Sequence, residues 1–340
     1  MSVMNINNIK VSICVPIYGV ENYIERCVRS LFVQTYENIE YVFVNDLTKD
    51  NSISILNKVL LDYPKRIPQV KIINHTSNRG LAASRNTAVE NATGDYLLHV
   101  DSDDWIEPNT VDVCITDVKK GNYDLVFFNG TVYRNDYFEY MNVPMNTTKK
   151  DLLEDVLSFR VRHNIWGVFI RKDIYINNNI HAIEGCNMGE DFQVLPLLLY
   201  HSNKISSLGI SLYNYDRRNV QSITSSFSEK NAKQNWRSID YIYNFFATSD
   251  NKYMDFLEVY KLKTIFFQIK NCILYSSNYE YYNYVLNRLN NIDKKYWSKI
   301  SILRRLVFHI KNRKLLLLYL IVLTKTNVIV KAIYPKCRKI

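Results

Sequence analysis

Two aspartates, Asp101 and Asp103, directly follow an apolar segment, residues 96–100. If that segment is a strand, its period of two projects both carboxylates to one side, while Asp104 points elsewhere. Carboxylate oxygens, completed by water and phosphate oxygens, suit a hard cation such as Mg²⁺ or Mn²⁺. A solvated acidic turn is the alternative interpretation. An EF-hand fits poorly, because the sixth position is not Gly and the twelfth is Asp112 instead of Glu.

Short apolar segments alternate with segments of helical period through the first 130 residues. The pattern predicts strands at 11–18, 39–44, 70–73, 96–100 and 125–128, and helices at 21–34, 51–61, 81–91 and 109–119. Such alternation predicts an α/β fold of Rossmann type, with a mostly parallel central sheet covered on both faces. Ligands of these sheets bind at the carboxyl ends of the strands. We therefore expect Tyr18-Gly19, Asn45-Asp46 and Asp101-Ser102-Asp103 to meet at one site.

The chain changes character near residues 225–235, after which it is rich in Tyr and Lys and mostly helical in period. We predict a first domain at 1–228, followed by a basic, mainly helical region at 229–340. The net charge of +10 belongs to this second region. Residues 230–340 carry 21 Lys/Arg against 6 Asp/Glu, and the remainder carries 22 against 27. Because the positive charge is regional, nucleic acid is not a predicted partner.

A strongly apolar stretch at 315–323 is flanked by Lys311, Arg313, Lys314 and Lys325. Nine residues are too few to span a bilayer. Two interpretations remain open. In one, residues 299–340 make a peripheral contact with anionic lipid, as an amphipathic helix does. In the other, the stretch is a buried helix that closes the C-terminal bundle.

The cysteines and the N-terminus bear on the compartment. The six cysteines form no CxxC pair, and the six histidines show no HExxH spacing, which argues against disulfides and structural zinc. Residues 1–10 are polar and lack the apolar run of a secretory signal. We expect a cytoplasmic protein, located on the inner face of the cell membrane if 299–340 binds lipid.

Several segments together resemble a known enzyme family. They are VSICVPIYGVENYIERCVRSLFVQTY (11–36), VFVNDLTKDNS (42–52), HTSNRGLAASRN (75–86) and GDYLLHVDSDDWIEP (94–108), followed by Trp166-Gly167, Met188-Gly189-Glu190-Asp191, Tyr213-Asn214-Tyr215 and Ser222-Ile223-Thr224. In order and spacing they resemble the family 2 glycosyltransferases of the GT-A fold. The resemblance implies an inverting, hexosyltransferase-type enzyme of surface polysaccharide synthesis. It also implies a nucleotide-diphosphate sugar donor, such as a UDP-sugar, and a glycan or lipid-linked saccharide acceptor.

The resemblance also assigns roles to individual residues. It implies a metal, Mn²⁺ or Mg²⁺, with Asp103 as its main ligand, and it makes Asp191 the general base. The remaining residues form the nucleotide-sugar site: Pro16, Tyr18 and Glu21 at its border, Asp46 at the nucleobase, Arg85 near the nucleotide, and Asp101 near ribose and metal. For Glu190-Asp191, an acidic pair that stabilises a helix N-terminus is a compatible second interpretation.

Two positions depart from the family pattern. Leu47 replaces a Gly, and because leucine adopts positive φ only at a cost, we expect this turn to differ. Arg79 also replaces a Gly, and it is predicted either to contact the diphosphate or to be solvated.

Two rival functions remain. One is a non-catalytic protein of the same fold whose basic tail binds membrane or nucleic acid; the joint presence of the Asp-x-Asp, Glu-Asp and Arg-Asn pairs argues against it. The other is a nucleotidyltransferase, but residues 18–22 lack the Gly-rich basic phosphate loop expected there.

Overall fold

The computed structural model describes residues 8–219, 227–275, 279–333 and 337–339. Within these ranges the strands are β1 (Val11–Ile17), β2 (Ile39–Asn45), β3 (Val70–Asn74), β4 (Tyr96–His99), β5 (Trp105–Ile106), β6 (Leu125–Tyr133), β7 (Tyr137–Met141), β8 (Val168–Arg171), β9 (Ile205–Asp216) and β10 (Cys337–Lys339). The helices are α1 (Ile24–Phe32), α2 (Ser52–Leu60), α3 (Leu81–Asn91), α4 (Thr110–Gly121), α5 (Lys149–Leu157), α6 (Lys172–Asn177), α7 (Glu190–His201), α8 (Glu229–Ser249), α9 (Met254–Tyr275), α10 (Tyr279–Asn290), α11 (Ile302–His309) and α12 (Arg313–Ile333).

The strands form one mixed sheet in the order β10-β7-β6-β8-β4-β1-β2-β3, and β9 pairs with β5 and β6. The pairings of β1 with β2 and β4, and of β2 with β3, are parallel, as the alternating pattern predicts. Beyond β4 the sheet is less parallel than expected, because β8 runs antiparallel to both β4 and β6. Antiparallel strands added to a parallel sheet are common in large α/β folds.

Both faces of the sheet are covered, as predicted. All seven residues of β1 are buried, which is the pattern of a strand with protein on each side. Val11, Ile13 and Val15 pack with α1 and α4 on one face. On the other face Cys14 joins a cluster that includes residues of α3, α5 and α7. The sheet is therefore the rigid middle layer that fixes the positions of its strand ends.

Helix α8 begins at Glu229, and the Ser228 hydroxyl caps it by accepting from the Asn231 N–H at 3.2 Å. Trp236 of α8 and Tyr260 of α9 belong to the same apolar cluster as Leu198 of α7. Helices α8 and α9 thus share a core with the helices on one face of the sheet.

Helix α12 has two different sides. Leu316 and Leu320 are fully buried in that core, whereas Leu315 and Leu318 are 59% and 60% exposed. The apolar stretch therefore closes the bundle with one side and leaves the other uncovered. No helix in the described part of the chain combines the length and apolarity needed to cross a membrane.

The turn after β2 corrects one expectation. Leu47 adopts φ 56°, the left-handed conformation that a glycine would take, so the expectation that leucine would force a different turn is wrong. The surrounding hydrogen bonds hold the backbone: the Thr48 N–H donates to Asn45 Oδ1 at 2.9 Å, and the Asp46 N–H donates to the Ile17 carbonyl at 3.0 Å. These contacts offset the steric cost of a Cβ in this region.

Candidate active site

A cavity of about 1240 Å³ opens at the carboxyl ends of β1, β2 and β4. Its wall contains all but one of the residues that the sequence singled out: Pro16, Tyr18, Asp46, Arg85, Asp101, Asp103 and Asp191. Residues that follow three separate strands therefore line one cavity, as the pattern predicts. The later segment Ser222-Ile223-Thr224 lies outside the described residues.

The three aspartates after β4 have different surroundings. Asp104 is fully buried, and its carboxylate accepts from the Tyr213 hydroxyl and the Asp216 N–H, both at 2.7 Å. Asp103 faces the cavity and accepts from Asn219 Nδ2 at 2.8 Å. Burial, and next the negative charge of Asp101, raise the pKa of Asp103 to about 6. The buried Asp104 anchors the segment, so a solvated acidic turn does not describe it.

Asp101 and Asp103 form the part of the site with hard oxygen ligands. Among the described residues, no group of three or more His, Cys, Asp or Glu side chains is arranged to hold a metal by itself. Mg²⁺ and Mn²⁺ do not require one, since they use one or two carboxylates with water and phosphate oxygens. Among the described residues Asp103 forms no ion pair and Asp101 pairs with Arg85, so the two carboxylates fit a divalent cation.

Arg85 of α3 connects these aspartates to α7. Its Nη2 donates to Asp101 Oδ1 at 2.7 Å, and its Nη1 donates to Glu190 Oε1 at 2.9 Å and to Asp191 Oδ1. Burial alone would lower the pKa of Arg85, but the charges of Asp191, Asp101 and Glu190 raise it well above its usual value. One buried guanidinium therefore holds three carboxylates of the site in place.

Asp191 lies in the first turn of α7, where the helix dipole stabilises negative charge, as expected for the acidic pair. Burial raises the pKa of Asp191, Arg85 lowers it and Asp101 raises it. The backbone of Ile165 also lowers the pKa of Asp191 and so favours its charged form. Burial and the charge of Asp191 raise the pKa of Glu190.

The residue before α7 packs tightly against the C-terminal helices. Gly189 has φ 83°, and a Cβ added there would lie 2.9 Å from Asn235 Oδ1 and 3.1 Å from Ser238 Oγ, both on α8. Only glycine satisfies this conformation and this close approach together. Helix α8 thereby fixes the backbone from which Glu190 and Asp191 project.

Asp46 lines the cavity, but its carboxylate is already engaged. Oδ1 accepts from His75 Nδ1 at 2.7 Å and from the Arg79 N–H at 2.8 Å, and Oδ2 accepts from the Gly80 N–H at 2.7 Å. These bonds order the loop that leads into α3. The contact of Asp46 with a nucleobase stays a prediction.

Glu21 and Arg79 lie away from the cavity wall. The Glu21 carboxylate accepts from the Asn51 N–H at 3.0 Å and from Asn51 Nδ2 at 2.9 Å, at the start of α2. The structure thus does not bring Glu21 to the cavity border where the resemblance placed it. Arg79 is exposed, as its solvated interpretation predicts, and its Nη2 pairs with the exposed Glu184 at 2.5 Å.

The sequence missed the contribution of the C-terminal helices to the cavity. Its wall includes Asn231 and Asn235 of α8 and Tyr260, Asn271 and Tyr275 of α9. In the sequence, a polar helix face that lines a cavity has the same period as one that faces solvent. No spacing signal could have distinguished them.

Comparison with known proteins identifies the family. The model of "Glycosyl transferase family 2" matches residues 12–194, more than half of the chain. The chain belongs to glycosyl transferase family 2. The predicted enzyme class, a glycosyltransferase, is thereby confirmed at the level of the family.

Two relatives and one solved structure illustrate the family likeness. The glycosyltransferase EpsJ of Bacillus subtilis is 30% identical over 221 residues, which are 63% of this chain and 62% of EpsJ. GlyA of Streptococcus pneumoniae is 31% identical over 237 residues, 65% of this chain and 32% of GlyA. The match therefore spans less than two thirds of either relative. S. aureus TarS 1-349, solved in complex with UDP-GlcNAc, superposes with a TM-score of 0.68 at 19% identity, covering 88% of this chain and 86% of TarS. This likeness confirms the predicted GT-A fold.

Proposed function

We propose that this family 2 glycosyltransferase moves a sugar from a nucleotide-diphosphate donor to a saccharide or lipid-linked acceptor, with inversion, in surface polysaccharide synthesis. The observation that carries the proposal is the convergence of Asp101, Asp103 and Asp191 on one cavity around Arg85. A UDP-sugar is the proposed donor, supported by the structures of S. aureus TarS in complex with UDP-GlcNAc and with UDP. The relative GgaB of Bacillus subtilis, a minor teichoic acid biosynthesis protein, supports the class of pathway.

The donor side of the site comprises the strand ends. Pro16 and Tyr18 would border the nucleotide, and Asp103, with Asp101, would hold Mn²⁺ or Mg²⁺. When bound, the metal supplies counter-charge for the diphosphate leaving group. Arg85 keeps Asp101 oriented through the bond at 2.7 Å.

The acceptor side is centred on Asp191. Its carboxylate would take the proton from the acceptor hydroxyl as that oxygen bonds to the anomeric carbon and the bond to the diphosphate breaks. A base must be ionised, and Arg85 and the backbone of Ile165 both favour the ionised form. The buried surroundings act in the opposite direction, which makes the carboxylate more basic than a solvated one.

A panel of nucleotide sugars tests the proposal directly. Purified protein is incubated with each donor and a divalent metal, and released nucleotide diphosphate is measured for wild type and Asp103→Ala. Asp136→Ala, which changes an exposed aspartate outside the cavity wall, is the matched control. We expect turnover of one donor class by wild type and control, and its loss in Asp103→Ala. Near-normal turnover by Asp103→Ala in EDTA would contradict the metal role, and no turnover by wild type with any donor would favour the non-catalytic rival.

We also propose a peripheral contact with the inner face of the cell membrane through 299–340. Helices α11 and α12 carry a set of exposed apolar side chains, here called the leucine face: Ile302, Leu303, Leu306, Leu315 and Leu318. The exposed Lys311 and Lys314 lie beside it in sequence. Apolar side chains flanked by cations suit an interface with anionic lipid. The thiols of Cys14, Cys27, Cys114 and Cys186 are buried and outside any disulfide, which supports a reducing compartment.

Flotation on anionic vesicles tests this contact. The double variant Leu315→Ser/Leu318→Ser should float several-fold less than wild type at both low and high salt, because the apolar part of the binding does not depend on ionic strength. Leu61→Ser, which changes a leucine 73% exposed at the end of α2, is the control and should float like wild type. Equal flotation of all three proteins would reject the membrane contact.

A further inference from the structure

Three arginines lie together at the end of the sheet, beside the cavity. Arg134 follows β6, Arg217 follows β9, and Arg162 lies in the segment before β8. The Arg217 N–H donates to the Tyr133 carbonyl at 3.0 Å, which places Arg217 beside the end of β6. We refer to Arg134, Arg162 and Arg217 as the arginine cluster.

The arginine cluster carries surplus positive charge. Glu139 accepts from Arg134 Nε at 3.1 Å and from Nη2 at 2.7 Å. Within the described ranges, no carboxylate lies within ion-pair distance of Arg162 or Arg217. Desolvation lowers the pKa of the Arg162 guanidinium, Glu139 raises it, and Arg217 and Arg134 lower it. Within the described residues, Glu139 is the only carboxylate that forms an ion pair with any of the three arginines.

The arginine cluster adjoins the proposed acceptor side. Arg162 lines a second cavity of about 250 Å³, and Asn164 and Trp166 line both this cavity and the main one. Between them, Ile165 lies close enough to Asp191 for its backbone to lower the pKa of that carboxyl. Arg162 is therefore three residues from Ile165, which lies beside the proposed base, Asp191.

Aromatic side chains also link the arginine cluster to the main cavity. Tyr215 lines the main cavity, its ring lies 5.8 Å from that of Trp166, and the Arg217 guanidinium lies 6.0 Å from the Tyr215 ring. Arg217 is thus one aromatic ring away from the main cavity.

Two other arginines nearby already hold a carboxylate. Arg26 and Arg218 both pair with Asp216, each at 2.7 Å, on the side of Asp103. Arg162 and Arg217, which form no ion pair among the described residues, lie instead beside the segment that contains Ile165. An anion bound there would be distinct from the donor diphosphate.

We propose that the arginine cluster binds a phosphate group carried by the acceptor, so that the substrate is a phosphorylated saccharide or a saccharide linked to lipid through phosphate. This inference rests on the proposed function, because it places the acceptor hydroxyl at Asp191. Guanidinium groups bind phosphate through paired hydrogen bonds of fixed geometry. Among the residues that the structure describes, Arg162 and Arg217 hold no carboxylate that such a phosphate would have to displace.

Calorimetry with sn-glycerol 3-phosphate tests the inference on protein saturated with UDP and Mg²⁺, which fill the donor side. We expect one phosphate site in wild type and roughly tenfold weaker binding in Arg162→Gln and in Arg217→Gln, the loss typical of one charge-assisted hydrogen bond. Arg237→Gln, which removes an exposed arginine of α8, is the matched control and should bind like wild type. Glycerol without phosphate should not bind.

Three results would overturn the inference: no glycerol 3-phosphate binding by wild type, equal binding by all variants, or reduced flotation on phosphatidylglycerol vesicles in the Arg162 and Arg217 variants with unchanged glycerol 3-phosphate binding. The last result would assign the arginines to the membrane surface. The proposed function fails differently. In that case wild type would neither bind UDP nor turn over any nucleotide sugar, while glycerol 3-phosphate binding would still report on the arginine cluster.

Discussion

At the scale of single residues, the site depends on how one guanidinium distributes its charge. Arg85 bonds Asp101, Glu190 and Asp191, so three carboxylates compete for one cation. A divalent cation near Asp101 would relieve part of this competition and leave Arg85 more available to Asp191. Under the proposed function, donor binding and the ionisation of Asp191 would therefore be coupled through a single side chain, Arg85.

Asp191 should control the acidic side of the pH profile. Since a base acts in its ionised form, kcat/KM should fall as pH drops through its pKa, and burial places that pKa above the ordinary value of about 4. Asp191→Asn should lose turnover by about 10²-fold or more while binding donor nucleotide almost normally. Rate measurements across pH check the pH profile and the loss of turnover, and calorimetry with UDP and Mn²⁺ checks nucleotide binding. Wild-type turnover in Asp191→Asn would remove this residue from the mechanism.

The sequence located some of the residues that line the cavity and missed others. Asp101 and Asp103 line the cavity because they follow a strand whose end the pattern located, and Arg85 lies in a helix, α3, that the pattern also located. Asp191 came from the family resemblance, because the alternating pattern predicted no element near it. Glu21 does not line the cavity, because a side chain at a loop can turn to a local partner, here Asn51, that no periodicity reveals. The arginine cluster was also missed, since its members are far apart in sequence and meet only when β6 and β9 pair.

At the scale of elements, the alternating pattern located the N-terminal half closely. Helix α3 begins and ends at the predicted residues, and β3 differs by one. The antiparallel pairings of β8 could not be predicted, because strand direction depends on the path of the chain and a buried strand looks alike in either direction. Leu47 shows a second limit: local hydrogen bonds hold a backbone conformation that the side chain disfavours.

Replacing Leu47 with Gly should stabilise the protein. The substitution removes a left-handed leucine, which costs about 1–2 kcal/mol, and adds chain entropy to the unfolded state worth roughly 0.5–1 kcal/mol. The expected gain in the free energy of unfolding is about 0.5–1 kcal/mol. Leu61→Gly is the control, because Leu61 is also exposed but has φ −64°, and this variant should lose about 1 kcal/mol. Urea unfolding gives the free energy of unfolding of both variants. A destabilised Leu47→Gly would show that the contacts of the leucine side chain outweigh its backbone strain.

At the scale of the whole molecule, the C-terminal helices are part of the core. Val307, Leu316 and Leu320 are at most 2% exposed in the cluster that contains α7 and α9 residues. Composition and charge distinguish residues 229–340 from the rest of the chain, but they could not reveal that the apolar side chains of this region pack against residues 1–228. A predicted boundary in sequence is therefore not a boundary in packing.

Truncation after residue 300 should destabilise the protein as a whole. Losing three buried side chains at about 1.5–3 kcal/mol each removes on the order of 4–9 kcal/mol, which is comparable with the total stability of a typical domain. Urea unfolding should show a large shift for the truncated chain. The Leu315→Ser/Leu318→Ser variant should stay close to wild type, since these two side chains are exposed. If the truncated chain unfolds at the wild-type midpoint, the C-terminal helices are an appendage.

The contact of Gly189 with Asn235 and Ser238 has a consequence for recombination between family members. A chimera joined at residue 228 would combine the acidic pair of one parent with an unmatched α8 of another, and any bulkier side chain at the crossing would shift the backbone under Glu190 and Asp191. Exchange of acceptor preference by swapping blocks should therefore succeed at crossovers placed before α7, so that α7, α8 and α9 are inherited as one piece.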